Sequence, residues 1–199
     1  MTEFAISCTD FHSLEENIIR NFNQTRRLDT LARIIRIKDN ALVLANRFVI
    51  DYEQAKTAAL LAEISCLVSK DKYLEIADNC GLEIYPAERE DPLLLRQRIS
   101  RIIAVDSFNI VDKEVLNAIA CHTTLRKEAS SLDKLLFLAD KMALGDDSGA
   151  PVFMPLVKKA AEVSLDNAVK CYFENLMLNQ PRTKTLHPWL LEAWEEIRG

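Results

Sequence analysis

Apolar residues recur along this chain at intervals of three and four from Leu14 almost to the end, the spacing of one helix face. Leu31, Ile34, Ile35, Ala41, Leu42, Leu44 and Ala45 predict a long helix running towards Phe48. Asp51 followed by Gln54 is a capping-box pattern ahead of the apolar run Ala55 to Val68. Ser69 is placed to cap a short helix through Ile76, stopped before Gly81. Leu82 to Pro92 holds two prolines and many charges and reads as a surface loop. Further helices are predicted over Leu93–Ala104, Asp112–His122, Ser131–Met142, Pro151–Val163, Ser164–Leu178 and Pro188–Ile197, with Asp112, Ser131 and Ser164 as N-caps. Leu144 to Ala150, LGDDSGA, is the clearest loop. The short runs Phe48–Ile50 and Phe108–Val111 could be strands, but no alternating hairpin pair accompanies them. The pattern therefore predicts an all-α fold: a loose extension over residues 1–13, then one domain over 14–199 with roughly nine to ten helices.

Composition sharpens this reading. Only four Gly and six Pro occur in 199 residues, which favours long helices over hairpins. Hydrophobic residues make up 49% and charged residues 28%, an ordinary balance for a globule with a core. The net charge of −5 gives no footprint for nucleic acid or an anionic membrane, so neither is expected as a partner. Cys8, Cys66, Cys80, Cys121 and Cys171 form no CxxC pair, and scattered thiols fit a reducing compartment. With no signal-peptide pattern and no membrane-length apolar run, a cytoplasmic location is expected.

The candidate chemistry lies in Ala118 to Met142, AIACHTTLRKEASSLDKLLFLADKM. His122 ends one apolar segment, and Asp140 follows five apolar residues, Leu135 to Ala139. A carboxylate in that setting is shielded from water and needs a partner to stay ionised.

The 18-residue spacing of His122 and Asp140, with the words HTT and FLAD, resembles the second half of a metal-dependent phosphohydrolase of the HD superfamily. It narrows to the YqeK-type family of symmetrical diadenosine tetraphosphate hydrolases. The resemblance extends over roughly Leu28 to Trp194. Thr30 to Lys38 matches the family's RYEHSLRVA, Leu60 to Glu63 its LLHD, Glu90 to Gln97 its ENPELLHG, and His187-Pro188 with Glu192-Ala193 its IHPxTIEA. It implies an HD-type helical domain, six ligands on one or two divalent metals, and often a homodimer. Such a metal activates a bound water and clamps a phosphoryl group.

Four of the six ligand positions depart from the family. Arg33 and Arg96 stand where it has histidines, Ala62 and Glu63 stand where it has His-Asp, and His122 and Asp140 are retained. Arginine has no acceptor lone pair and cannot ligate a metal. At ~4 Å and an effective dielectric near 20, each would cost a divalent ion roughly 8 kcal/mol. No metal is therefore expected. Any that did bind would be iron or manganese, on Glu63, His122 and Asp140. The family's ADYIEPxR also decays, with Lys141, Ala143 and Leu144 at its Tyr, Glu and Pro, while Asp133-Lys134 matches its Glu-Lys. Arg33, Arg96 and Lys134 are then candidate phosphate contacts. The two arginines are expected either to neutralise Glu63 and Asp140 in place of a metal or to hold an anion.

Plainer roles stand beside these. His122 reads equally as a hydrogen-bonded structural histidine, Asp140 as a helix cap, Arg33 and Arg96 as surface residues, Lys134 as a solvated helix residue, and Trp189 and Trp194 as packing residues. Three functions stay open: a non-catalytic homologue binding a partner or a nucleotide or phosphate ligand, a surviving dinucleoside polyphosphate hydrolase with a rebuilt site, and a structural or oligomerising module.

Overall fold

The computed structural model describes residue 6 and residues 13–144, 151–179 and 186–199. Among these, eleven α-helices and three 3-10 turns occur and no strand. The extension predicted over residues 1–13 and most of the loop predicted over Leu144–Ala150 lie outside the described residues. Among the described residues no helix is long and apolar enough to cross a membrane.

Helix α1 (Leu14–Gln24) opens on a capping box, in which Ser13 Oγ accepts the Glu16 amide and the Glu16 carboxylate accepts the Ser13 amide. Helix α2 (Leu28–Phe48) buries Ile34, Ile37, Ala41, Leu44 and Ala45 and ends where Val49 turns left-handed at φ 55°. Phe48–Ile50 is thus a helix terminus. Asp51 caps α3 (Tyr52–Leu61) by accepting the Gln54 amide at 2.8 Å.

Helix α3 does not run on to Val68. It stops at Ala62, Glu63 takes φ −104° and ψ 18°, and a 3-10 turn follows over Ile64–Leu67. Two side chains beyond the turn hold this break: the Ser65 amide donates to Ser100 Oγ, and Tyr73 Oη donates to the Ser65 carbonyl. Nothing near Glu63 in the sequence signals it.

A 3-10 turn (Lys70–Lys72) leads into α4 (Tyr73–Asn79). Ser69 bonds the Asp71 carboxylate and makes no cap bond. Gly81, left-handed at φ 66°, follows α4 as the sequence predicts. The segment read as a surface loop contains α5 (Pro86–Glu90) and a 3-10 turn (Pro92–Leu95). Helix α6 (Arg96–Phe108) outruns its expected end at Ala104 and closes on left-handed Asn109. Helices α7 (Lys113–Cys121) and α8 (Ser131–Met142) follow; Asp112 caps α7, but Ser130, one residue before the predicted cap, caps α8. Helices α9 (Met154–Ala160), α10 (Leu165–Asn179) and α11 (Pro188–Arg198) complete the order, with α9 shorter than Pro151–Val163.

Helix α8 is the centre. Leu132, Asp133 and every residue from Leu135 to Lys141 are buried, because α2, α3, α7 and α10 surround it. Phe137 packs on Tyr172 and Phe173, and Phe173 stacks on Trp194 of α11.

A buried ion cluster anchors α11. The Glu88 carboxylate accepts two bonds from Arg98 Nη1 (2.7 and 2.9 Å), one from the Tyr85 amide and one from His187 Nε2 (3.2 Å). Arg98 also donates to the Glu83 carbonyl, and its guanidinium lies over Tyr85 and Trp189. His187 Nδ1 accepts the Trp189 amide and so caps α11. Removing one partner from such a cluster strands a buried charge. Arg98→Ala should cost about 3–5 kcal/mol in urea unfolding, and a loss near zero would mean that α11 docks by apolar contact alone.

Candidate functional site

Five sequence-selected side chains converge from five places in the fold. Arg33 comes from α2, Glu63 from the break after α3, Arg96 from the start of α6, His122 from the end of α7, and Asp140 from the last turn of α8. Arg33 bridges the two carboxylates: Nη1 donates to Glu63 Oε1 at 2.9 Å and Nη2 to Asp140 Oδ1 at 2.5 Å. Both carboxylates are buried, while the Arg33 side chain keeps 20% of its surface exposed. Arg96 approaches Glu63 Oε1 only to 3.5 Å, is 32% exposed, and makes no hydrogen bond among the described residues. Ala62, the remaining selected position, is buried at the end of α3 with a methyl where an imidazole would reach inward.

His122 is fully buried. Its Nδ1 lies 2.7 Å from the Ile119 carbonyl, which can only accept, so the proton sits on Nδ1. Among the described residues its Nε2 makes no hydrogen bond, and Glu63 Oε1 lies 3.6 Å from it. The Arg33 Nε–H is likewise buried and unpartnered.

The fold adds a third cation that the motif pattern does not single out. Lys141 is buried, and its Nζ bonds Asp140 Oδ2 and the Thr123 carbonyl, both at 2.9 Å, beside the face of Phe137. In the sequence it stands only as a departure from the family's tyrosine. A buried amine next to a buried carboxylate is the available signal. The threonines of HTT hold the local backbone. Gln97 Oε1 accepts from the Thr123 amide and hydroxyl, and Gln97 Nε2 donates to Thr124 Oγ1. Lys134 instead points to α10, where it pairs with Asp166 at 2.7 Å. Trp194 stacks on Phe173, and Trp189 Nε1 donates to Tyr85 Oη.

Burial raises the Glu63 pKa, but His122, Arg96 and Arg33 outweigh it and hold the carboxyl well below its ordinary range. Burial also opposes ionisation of Asp140, and Lys141, Arg33 and His122 prevail, so its pKa is lowered too. Burial lowers the Lys141 pKa against the pull of Asp140. Cys66 donates to Glu63 Oε2 at 3.3 Å, and burial together with that carboxylate pushes its thiol up to about 12.

Glu63, His122 and Asp140 each offer one ligand atom, all within 4.8 Å of one another. One imidazole nitrogen and two carboxylates suit a transition metal. As the side chains stand, however, the Arg33 fork already engages both carboxylates, and an ion would also meet Arg96 and Lys141. Three cations against two anions do not fit a divalent ion.

No protein-family model matches this chain. It is 36% identical over 154 residues to an uncharacterized protein in the pepC 5' region of Lactococcus lactis subsp. cremoris, covering 77% of each chain. It is 26% identical over 167 residues to the symmetrical bis(5'-nucleosyl)-tetraphosphatase of Bacillus subtilis (strain 168), covering 79% of this chain and 87% of that one. Among solved structures, a Clostridium acetobutylicum protein described as a predicted HD superfamily hydrolase involved in NAD metabolism superposes with a TM-score of 0.82 at 26% identity. That match covers 96% of this chain and 98% of the other.

The two arginines should differ in their contribution to stability. Arg33→Ala removes the one guanidinium that bonds both buried carboxylates and should cost about 3–5 kcal/mol. Arg96→Ala should cost less, because Arg96 is partly exposed and only approaches Glu63 at 3.5 Å without a hydrogen bond. Equal losses in urea melts would contradict the geometry. The lowered carboxyl pKa values also set a pH dependence. The stability they contribute is present above the unfolded values near 4 and is lost as pH falls towards the folded ones. Unfolding free energy should therefore fall steeply below about pH 5, and Asp140→Asn should flatten that slope.

Proposed function

We propose, on the premise that this chain belongs to the YqeK-type family of the HD superfamily, that it is a phosphohydrolase relative that binds a phosphate-bearing ligand without hydrolysing it. One observation carries the reading: the Arg33 guanidinium sits on both Glu63 and Asp140. An HD-type hydrolase needs those carboxylates for a metal that makes a nucleophile from water. Here they are engaged by a cation that cannot activate water, and no histidine remains at positions 33, 62 or 96.

Ligand binding is supported by the charge balance. Arg33, Arg96 and Lys141 exceed Glu63 and Asp140 by one positive charge. Arg96, partly exposed beside Glu63, has hydrogen-bond donors to spare, and a guanidinium matches a phosphate in a planar, two-pronged way.

The unpartnered Nε2 of His122 favours a second reading, a surviving metal-dependent hydrolase of dinucleoside polyphosphates. Three measurements on wild-type protein separate the two. Elemental analysis should find well under one equivalent of iron, manganese or zinc. Diadenosine tetraphosphate should be cleaved no faster than in a buffer blank with added manganese. Calorimetry should detect ADP or pyrophosphate, with the heat lost in Arg96→Ala. Stoichiometric metal and cleavage that disappears in His122→Ala would establish the hydrolase instead. Absent heats would leave no support for a phosphate ligand.

A further inference from the structure

A second recess lies away from the Arg33 site, where the loop between α7 and α8 meets α10 and α11. It holds about 250 Å³, below the ~300–1,000 Å³ usual for drug-sized ligands, so its occupant is small. Ala129, Val169, Ala193 and Ile197 give it an apolar floor, and charged residues of both signs stand around it. Two of those charges are already closed. Arg126 pairs with buried Asp133 at 2.7 Å, and Lys134 pairs with Asp166 at 2.7 Å. Two others remain open. Lys170 of α10 is exposed and makes no ion pair or hydrogen bond among the described residues. Glu196 of α11 makes no ion pair among them, and its Oε2 accepts the Glu128 amide at 2.7 Å. An ammonium and a carboxylate thus line one recess without neutralising each other.

The loop side of the recess is built at a conformational cost. Leu125 and Glu128, neither of them a glycine, turn left-handed at φ 61° and 53° on either side of Arg126. Side chains rarely adopt that region, and such strain persists where the surroundings over-determine it. The bond from the Glu128 amide to Glu196 does so here. Glu196 therefore holds the loop with Oε2 and leaves Oε1 without a hydrogen bond among the described residues.

We propose that this recess binds a free amino acid with a compact apolar side chain. Its carboxylate meets Lys170, its ammonium meets Glu196, and its side chain lies on the apolar floor. A molecule carrying one charge leaves either Lys170 or Glu196 uncompensated, and an uncharged apolar molecule leaves both. None of these residues belongs to the Arg33 site, so the binding goes beyond the proposed function and does not depend on it.

L-leucine is the probe, with isoamylamine, which lacks the carboxylate, and isocaproate, which lacks the ammonium, as controls. Each would be titrated onto the full chain and followed by saturation-transfer NMR. Leucine should saturate with a Kd on the order of 1 mM, as for a ligand of so few atoms. Each control should bind about fivefold more weakly, the worth of one partly exposed charge pair. Lys170→Ala and Glu196→Gln should each weaken leucine by about the same factor, and the glutamine keeps an oxygen for the Glu128 amide. Ala129→Leu should fill the recess and remove the signal, with circular dichroism confirming the helical fold. If Ala129→Leu does not fold, Lys170→Ala decides, because Lys170 is exposed and its truncation disturbs no packing. No saturable leucine binding, controls that bind as tightly as leucine, or leucine binding unchanged in Lys170→Ala overturns the site.

Discussion

Two ionised carboxylates inside a helical core are the constraint on which the rest depends. Glu63 and Asp140 are buried, and charges so placed must be paired and hydrogen-bonded. Their partners arrive from α2, α6, α7 and α8, so satisfying them fixes how four helices approach. Such a cluster adds little stability over a well-packed apolar core of the same volume. Its effect is to select one arrangement. A slip of α2 by one residue would carry Arg33 away from both acids and leave each of them less well compensated.

The fold uses buried ions in two ways. Around Glu88 every charge finds a partner: Arg98, His187 and the Tyr85 amide saturate the carboxylate, and two aromatic rings cover the guanidinium. That cluster docks a helix. Around Glu63 and Asp140 the pairing is incomplete, one positive charge is in excess, and Arg96 is only partly buried.

Much of the site was legible through the resemblance to a known family. The match of Thr30–Lys38 and Leu60–Glu63 to its motifs implied that residue 33 meets residues 62 and 63, and the HTT and FLAD words implied that His122 meets Asp140. Lys141 was not legible. Neighbouring residues on a helix point about 100° apart, so nothing in the pattern says that its long side chain curls back to Asp140 and the Thr123 carbonyl. The pairing of Lys134 with Asp166 depends on how α10 crosses α8, which local pattern does not encode.

By itself the sequence determined the helical class, most helix starts and the family, because apolar periodicity, capping residues and motif spacing are local properties of the chain. It also determined that arginines replace imidazoles. Only the tertiary structure decided what those arginines do. Glu63 enters the core where α3 gives way to a turn held by Tyr73, eight residues beyond Ser65, and by Ser100, 35 residues beyond it. Arg33 becomes a bridge while Arg96 stays at the rim, although both replace the same residue type. That difference arises from burial and distance, which exist only once the helices have packed.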